Sequence, residues 1–370
     1  MIFGGRSGEH EVSLQSAQSV LAALDKEKYD VTPIGITRQG GWLTGDPMTA
    51  LAAGRAAAAQ PATLLPDPES AALLQVERKT AQPATMSEVA HLDVIIPVLH
   101  GPNGEDGTVQ GLLELADIPY VGAGVVGSAV GMDKAIFKAV MQAHHIPVLP
   151  WKLVLKSEWL DDPAGVLDEI EAALAYPLFT KPANLGSSVG ICKCNSRAEL
   201  RAGLDEAAQY DRRLVVEQGI SARELEVAVL GNEEAQASVV GEVRPRRAFY
   251  DYVAKYMTPP GSAEESELLI PAPLPETQAE QVRELALAAY RAIDCAGLGR
   301  VDLLMDRQSG AIYVNEINTM PGFTRISMYP KLWEASGLPY PRLLDKLIEL
   351  ALARDAQKSA LKRTYEAIGG

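Results

Sequence analysis

Two carboxylates, an amide and a guanidinium sit at strand spacing near the C-terminal end of this 370-residue chain. In IYVNEINTMPG, residues 312–322, side chains alternate along an extended backbone. Ile312, Val314, Glu316 and Asn318 are therefore expected on one face, and Tyr313, Asn315 and Ile317 on the other. Upstream, GRVDLLMD at 299–306 also reads as a strand, with Arg300 and Asp302 sharing a face, and DRQSG at 306–310 reads as the hairpin loop between the two. Asp302, Glu316 and Asn318 are hard oxygen donors of the kind magnesium accepts together with substrate phosphates. The bland reading is a solvated sheet face, but such a face normally carries lysine or threonine, and Arg300 is the only cation here. A metal bridging the phosphates of ATP would explain why carboxylates gather in one place.

Other stretches supply groups suited to an anionic ligand. LFTKPANLGSSVGICK at 178–193 runs from a strand ending near Lys181 into a Gly/Ser loop, where Gly186, Ser187 and Ser188 either cradle phosphate oxygens or form a polar hairpin turn. Lys134 begins a helix, where a cation opposes the dipole and needs another reason to be present. HGPNGEDGTVQG at 100–111 follows the strand VIIPVL, at the position where open sheets bind ligands, yet its acids could equally cap the next helix. In GGRSGEHEVS, Glu11 is either a first-turn acid or a partner for an ammonium group. YVGAGVVG at 120–127 fits G-x-G-x-x-G but has no acidic residue about 20 positions on, so it reads as a turn between domains. No P-loop sequence occurs.

The elements that must hold these groups alternate. Strand-like YDVTPIGIT, LDVIIPVLH and IPYVG, with the helix VSLQSAQSVLAAL, predict an N-terminal open parallel α/β sheet. The alanine-rich segment 49–62 reads as surface helix or loop. After residue 123, the helix DKAIFKAVMQAH and strands near 151–155, 177–182, 189–194 and 213–217 predict a small α+β domain. Strands ELEVAVLG and QASVVGEV, a helix over 276–293, the hairpin and a last helix near 341–354 make a third unit. The predicted domains are 1–123, 124–218 and 219–370.

Composition narrows the function. With 34 basic and 48 acidic residues the net charge is -14, which opposes attachment to nucleic acid or to anionic membranes. The longest uncharged segment, Ile118 to Met132, has 15 residues, short of the roughly 18 of a spanning helix. No signal peptide is visible, and a cytoplasmic location is expected. Of three cysteines, Cys192 and Cys194 lie two apart with nothing nearby to complete a metal site.

Taken together, GGRSGEHEVSL, HGPNGEDGTVQG, KPANLGSSVGI, DYVAKY and GLGRVDLL with YVNEINTMPG, in this order along the chain, resemble the D-alanine-D-alanine ligases, a family with the ATP-grasp fold. The resemblance covers nearly the whole chain. It implies that Lys134 and Lys181 contact ATP phosphates and that loop 183–188 closes over them. Glu217 would meet the adenine edge and Glu224 the ribose, while Asp302, Glu316 and Asn318 would hold two magnesium (or manganese) ions. Glu11 would hold the ammonium of the first D-alanine, linked to Ser187 and Tyr256, and Ser327 would receive the carboxylate of the second. Arg300 and the Gly322 N–H resemble an oxyanion site. His100 either touches substrate or orients the glycine loop. Residues 249–273 would form a lid carrying Lys255 and Tyr256, and Tyr256 favours an amide product over the ester made with D-lactate. A D-alanine-D-lactate or D-alanine-D-serine ligase on the same scaffold and a catalytically silent ATP-binding regulator are the alternatives. A homodimer is expected from the resemblance alone.

Overall fold

The structure, a computed structural model, describes residues 1–54, 59–79, 82–186, 189–244 and 266–362. β1 (Ile2–Gly4) enters a glycine turn before α1 (His10–Ala23). Gly4 has φ +91° and a Cβ there would stand 2.2 Å from the Ile36 carbonyl oxygen, so only glycine lets the two strands close this tightly. The unit continues with β2 (Ile34–Ile36), β3 (Trp42–Thr44), α2 (Pro47–Ala52), β4 (Gln60–Leu64), β5 (Ala72–Glu77), β6 (Thr85–His91), β7 (Pro97–Val98) and α3 (Thr108–Leu115).

Its sheet runs β6-β5-β4-β3-β2-β1-β7, and this corrects the expectation of a purely parallel sheet. Only β1–β2 and β1–β7 are parallel, whereas β2 through β6 pair antiparallel. The links from β2 to β3, β4 to β5 and β5 to β6 are short turns, and a parallel crossover needs a dozen residues or more. The expected strand at 118–122 contributes one parallel bridge, Ile95 to Tyr120. Residues 49–62 divide between α2 and β4, with 55–58 outside the described residues.

α4 (Val125–Met132) and α5 (Lys134–Ala143) lead to β8 (Trp151–Leu155), α6 (Lys156–Asp161), α7 (Pro163–Ala173), β9 (Leu178–Pro182), β10 (Cys192–Cys194), α8 (Arg197–Tyr210) and β11 (Arg213–Gln218). This second sheet has the order β10-β9-β11-β8 and is antiparallel. Alternation divides its faces: Leu178, Leu214 and Val216 pack on Trp159, Leu167 and Leu204 of the helices, which leaves Phe179, Lys181 and Glu217 for the opposite face.

β12 (Ala222–Gly231), β13 (Gln236–Arg244), β14 (Glu267–Leu269), α9 (Glu276–Ala292), β15 (Gly297–Asp306), β16 (Ile312–Asn318), α10 (Met328–Ala335) and α11 (Tyr340–Ser359) complete the chain. The third sheet, β14-β13-β12-β15-β16, rests one face on α9 through Val282, Ala286 and Tyr290.

The hairpin β15–β16 departs from simple alternation. Asp302 pairs with Glu316 and Leu303 with Val314, so Asn315 is an extra residue, a β-bulge. The bulge reverses the facing: Ile312, Val314 and Ile317 all enter the core, while Glu316 and Asn318 turn to the other side with Arg300 and Asp302. The expectation that Ile312 and Val314 share a face with Glu316 is corrected accordingly.

The N-terminal and C-terminal units share one core, in which Phe3, Leu14 and Val20 pack with Leu344, Leu347 and Tyr329. Polar contacts add to it, for Lys28 and Tyr29 both reach the Asp345 carboxylate, at 2.8 and 2.9 Å. Among the described residues no helix is long and apolar enough to cross a membrane.

Candidate active site

A cavity of about 800 Å³ lies where the three sheets meet. The bulged hairpin forms one wall. Arg300 donates to both carboxylate oxygens of Asp302, each at 2.7 Å, and also approaches Glu226 at 3.0 Å. The Asn318 amide donates to Asp302 Oδ2 at 3.0 Å. Register places Asp302 and Glu316 directly opposite each other, an arrangement that costs free energy for like charges and that a cation offsets. Two carboxylates and an amide oxygen fit a hard divalent cation that takes its remaining ligands from phosphates or water. Among the described residues no cluster of three His, Cys, Asp or Glu side chains forms, so any ion here depends on Asn318 and the substrate for further donors.

The second wall carries the lysines. Asp133 caps α5 by accepting the N–H groups of Ala135 and Ile136 at 3.0 and 2.9 Å, and it also receives Asn184 and Arg213. This cap answers the puzzle of Lys134, whose charge opposes the helix dipole: the aspartate offsets it, and the Lys134 ammonium reaches the Leu185 carbonyl in the loop before Gly186. Lys181 pairs with Glu217 at 2.5 Å, and Lys138, one helical turn beyond Lys134, pairs with the other Glu217 oxygen. Burial alone would raise the Glu217 carboxyl, but the charges of Lys138 and Lys181 outweigh it and hold it at about 2. Burial pushes the Lys138 ammonium down against the pull of Glu217. Glu217 faces the two cations Lys138 and Lys181, whereas the neighbouring charge of Lys181 adds to burial in lowering Lys138 against the pull of Glu217 and Glu316. Both oxygens of Glu217 are thus engaged by lysines, and Glu217 lines the cavity beside them. Glu224 lines the same cavity.

The third wall comes from the N-terminal loops. Glu9, 8% exposed, lines the cavity, and its Oε2 lies 2.7 Å from where a Cβ on Gly101 would stand and 3.0 Å from one on Gly186. Glu11 does not line it. Its side chain is 60% exposed and pairs with Arg38, so the structure corrects the expectation that Glu11 faces the substrates. Glu9 is the N-cap of α1, outside the helical backbone, and Glu11 lies in its first turn, which separates the two glutamates. Glu105 is half-buried and accepts N–H groups from Gly101 at 2.7 Å and from Met320 at 3.1 Å. Burial, reinforced by the charge of Glu9, pushes its carboxyl up to about 8. His100 is 4% exposed; its Nδ1 donates to the Met320 carbonyl at 3.0 Å and its Nε2 lies 3.2 Å from Ser16 Oγ. Burial lowers the His100 ring. Of the two roles open to His100, orientation is the one this geometry fits, although the loop it holds is the Met-Pro-Gly segment.

Gly322 and Ser327 lie at the floor of the cavity, with Ser327 Oγ accepting the Thr324 N–H at 3.1 Å. Ser187, Ser188, Lys255, Tyr256 and most of the expected lid lie outside the described residues; of the lid, only residues 266–273, with β14, are described. Sequence reasoning missed Glu9, Glu105 and Lys138. A signal existed for Lys138, because Lys134 and Lys138 stand four apart on one helix face. The glycines at 122–127 serve packing: a Cβ on Gly127 would lie 2.8 Å from the Asp294 carbonyl oxygen, and Arg354 donates to the Gly122 carbonyl.

Residues 1–123 match the family model described as the D-ala D-ala ligase N-terminus, and residues 140–349 the one described as its C-terminus. The chain belongs to the D-alanine-D-alanine ligase family. It is 52% identical over 366 residues to the D-alanine--D-alanine ligase of Heliobacterium modesticaldum, covering 98% of this chain and 97% of the relative. To the ligase of the same name from Bacillus velezensis it is 45% identical over 364 residues, with 98% and 100% covered. Two solved structures superpose closely, each at 36% identity. The D-alanine-D-alanine ligase from Coxiella burnetii gives a TM-score of 0.80 over 97% of this chain and 94% of that one. The VanG D-Ala:D-Ser ligase from Enterococcus faecalis gives 0.82 over 95% and 98%. The architecture is accordingly the ATP-grasp fold of D-alanine-D-alanine ligases, a multidomain α/β and α+β assembly.

Proposed function

We propose that this enzyme joins two D-alanine molecules into D-alanyl-D-alanine at the expense of ATP, as a step in making peptidoglycan precursors. The observation that carries the reading is the convergence of Asp302, Glu316 and Asn318 with Lys134 and Lys181 on one cavity. Carboxylates facing lysines across one cavity suit a polyphosphate bridged by cations. The first D-alanine carboxylate attacks the γ-phosphorus of ATP, ADP departs and an acyl phosphate forms. The amine of the second D-alanine attacks the acyl carbon and phosphate leaves.

Lys134 and Lys181 offset charge on the transferring phosphoryl oxygens, and Glu217 holds Lys181 in place through their ion pair. Magnesium or manganese, two ions held by Asp302, Glu316 and Asn318, would neutralise phosphate oxygens when bound. Glu9, and not Glu11, receives the ammonium of the first D-alanine, because it is the glutamate that lines the cavity. Ser187 and Tyr256 would complete that contact, and Lys255 would join the ATP site, by resemblance. Arg300 and the Gly322 N–H face the oxyanion of the tetrahedral intermediate, and Ser327 binds the second carboxylate. Glu224 binds the ribose.

We read three domains, 1–123, 124–218 and 219–370, each built on one of the three sheets. A homodimer rests on family resemblance. ATP is an intracellular substrate, which favours the cytoplasm. The deciding experiment supplies the purified protein with ATP, magnesium and D-alanine and looks for the dipeptide and stoichiometric phosphate by mass spectrometry and phosphate assay. ATP binding without dipeptide would support a silent regulator instead, and faster turnover with D-serine or D-lactate as second substrate would shift the assignment within the family.

A further inference from the structure

Ser16 lies in the middle of α1, fully buried. Its hydroxyl lies 3.2 Å from His100 Nε2 and accepts the Phe323 N–H at 3.3 Å. The protonation pattern of this group follows from its partners. The Met320 carbonyl can only accept, so the hydrogen of His100 sits on Nδ1. In the neutral ring Nε2 is then an acceptor, and the only hydrogen Ser16 can offer goes to it. Ser16 Oγ keeps its lone pairs for the Phe323 N–H. The direction of every bond is therefore set: Phe323 N–H to Ser16, Ser16 O–H to His100, His100 N–H to Met320 C=O.

These bonds close a ring around Pro321 and Gly322. Met320 is held on one side and Phe323 on the other, both by residues of the N-terminal unit more than 200 positions away in sequence. The Tyr340 hydroxyl adds a bond to the Phe323 carbonyl at 2.6 Å. Gly322 has no side chain to fix it, and Pro321 has no N–H, so this stretch has few means of its own to set where the Gly322 N–H points.

We propose that Ser16 is a positioning residue for ligation: through His100 and Phe323 it fixes the main chain that aims the Gly322 N–H at the reacting carbonyl. This deepens the ligase reading and rests on it. Ser16 touches no substrate, and its effect is confined to the orientation of one main-chain donor. Lys134 on α5 and Lys181 on β9 stand on other elements and do not depend on it.

The test is steady-state dipeptide formation by Ser16→Ala, Ser16→Thr, His100→Gln and the Ser16→Ala/His100→Gln double variant, with ATP KM, kcat and thermal midpoint recorded for each. In Ser16→Ala, kcat is expected to fall about 100-fold, the cost of a displacement of about 1 Å, while the KM for ATP stays at the wild-type value. Ser16→Thr, which keeps the hydroxyl, is expected to recover most of the loss. The double variant is expected to be no slower than the slower single, because the two residues act as one unit. If Ser16→Ala does not fold, His100→Gln carries the same expectation of lost kcat with ATP KM retained. Wild-type kcat in Ser16→Ala, or a loss shared equally by kcat, ATP KM and thermal midpoint, or multiplicative losses in the double variant, would each overturn the proposal. A wild-type protein that makes no dipeptide would overturn the ligase reading, and the proposal with it.

Discussion

Glu105 accepts the Met320 N–H at 3.1 Å and so ties the glycine loop of the N-terminal unit to the segment that carries Gly322. Burial comes first and the Glu9 charge second in pushing this carboxyl from 4.5 up to about 8. A folded-state pKa above the unfolded one gives stability that is complete below about 4.5 and is lost as pH rises through about 8. We expect the thermal midpoint of the wild type to decline across that interval and that of Glu105→Gln to decline less. The amide cannot accept both N–H groups, so Glu105→Gln should also start lower, by about 1–3 kcal/mol in denaturant unfolding at acid pH. An unchanged slope in the variant would place the pH dependence elsewhere.

Removing Glu217 would leave Lys138, 1% exposed, without its buried counter-charge. Glu217→Ala is expected to lose about 3–5 kcal/mol of stability in urea unfolding at neutral pH. The depressed carboxyl of the wild type gives stability that is present above 4.5 and disappears as pH falls towards about 2. The gap between wild type and variant should therefore narrow over that acid range, and a constant gap would contradict the ion-pair account.

Two glutamates separated by one residue should behave differently. Glu9→Gln is expected to raise the KM for the first D-alanine with ATP KM unaffected, since its carboxylate lines the cavity. Glu11→Gln removes only an exposed pair with Arg38, worth about 0–1 kcal/mol, and should leave both constants at wild-type values. Kinetics of the two variants at saturating ATP decide the matter.

Glu316→Gln keeps the shape of the hairpin while deleting one of two opposed charges. Apparent magnesium affinity, read from activity against metal concentration, is expected to weaken by at least about 10–100-fold, the cost seen for residues one shell further out. The thermal midpoint without metal should stay the same or rise, because the repulsion between Asp302 and Glu316 is relieved. A fall in midpoint with unaltered metal dependence would remove Glu316 from the ion site.

Much of this was legible in the residues. The hairpin, β12, β13 and α9 were found because their apolar periodicity is strong, and the central sheet because turn signals bound each short strand. The antiparallel extension β3–β6 was not, since those strands are short or exposed and carry little alternation; β6 is exposed along nearly its whole length. At the site, Asp302, Glu316, Asn318, Lys134 and Lys181, which line one cavity, were readable from residue type and order. The choice of Glu11 over Glu9 failed because the helix begins at His10, so a shift of two positions decides which carboxylate faces inward. Glu105, His100 and Ser16 act through main-chain atoms 200 or more residues away, and no local pattern encodes such partners.

Asn315 gives the chemistry of this enzyme a dependence on parity. Asn315 and Glu316 both stand on the cavity side, so removing Asn315 would leave a regular ladder with Glu316 and Asn318 still facing the cavity, whereas drawing Asn315 into a continuous pleat would turn Glu316 and Asn318 towards the apolar core.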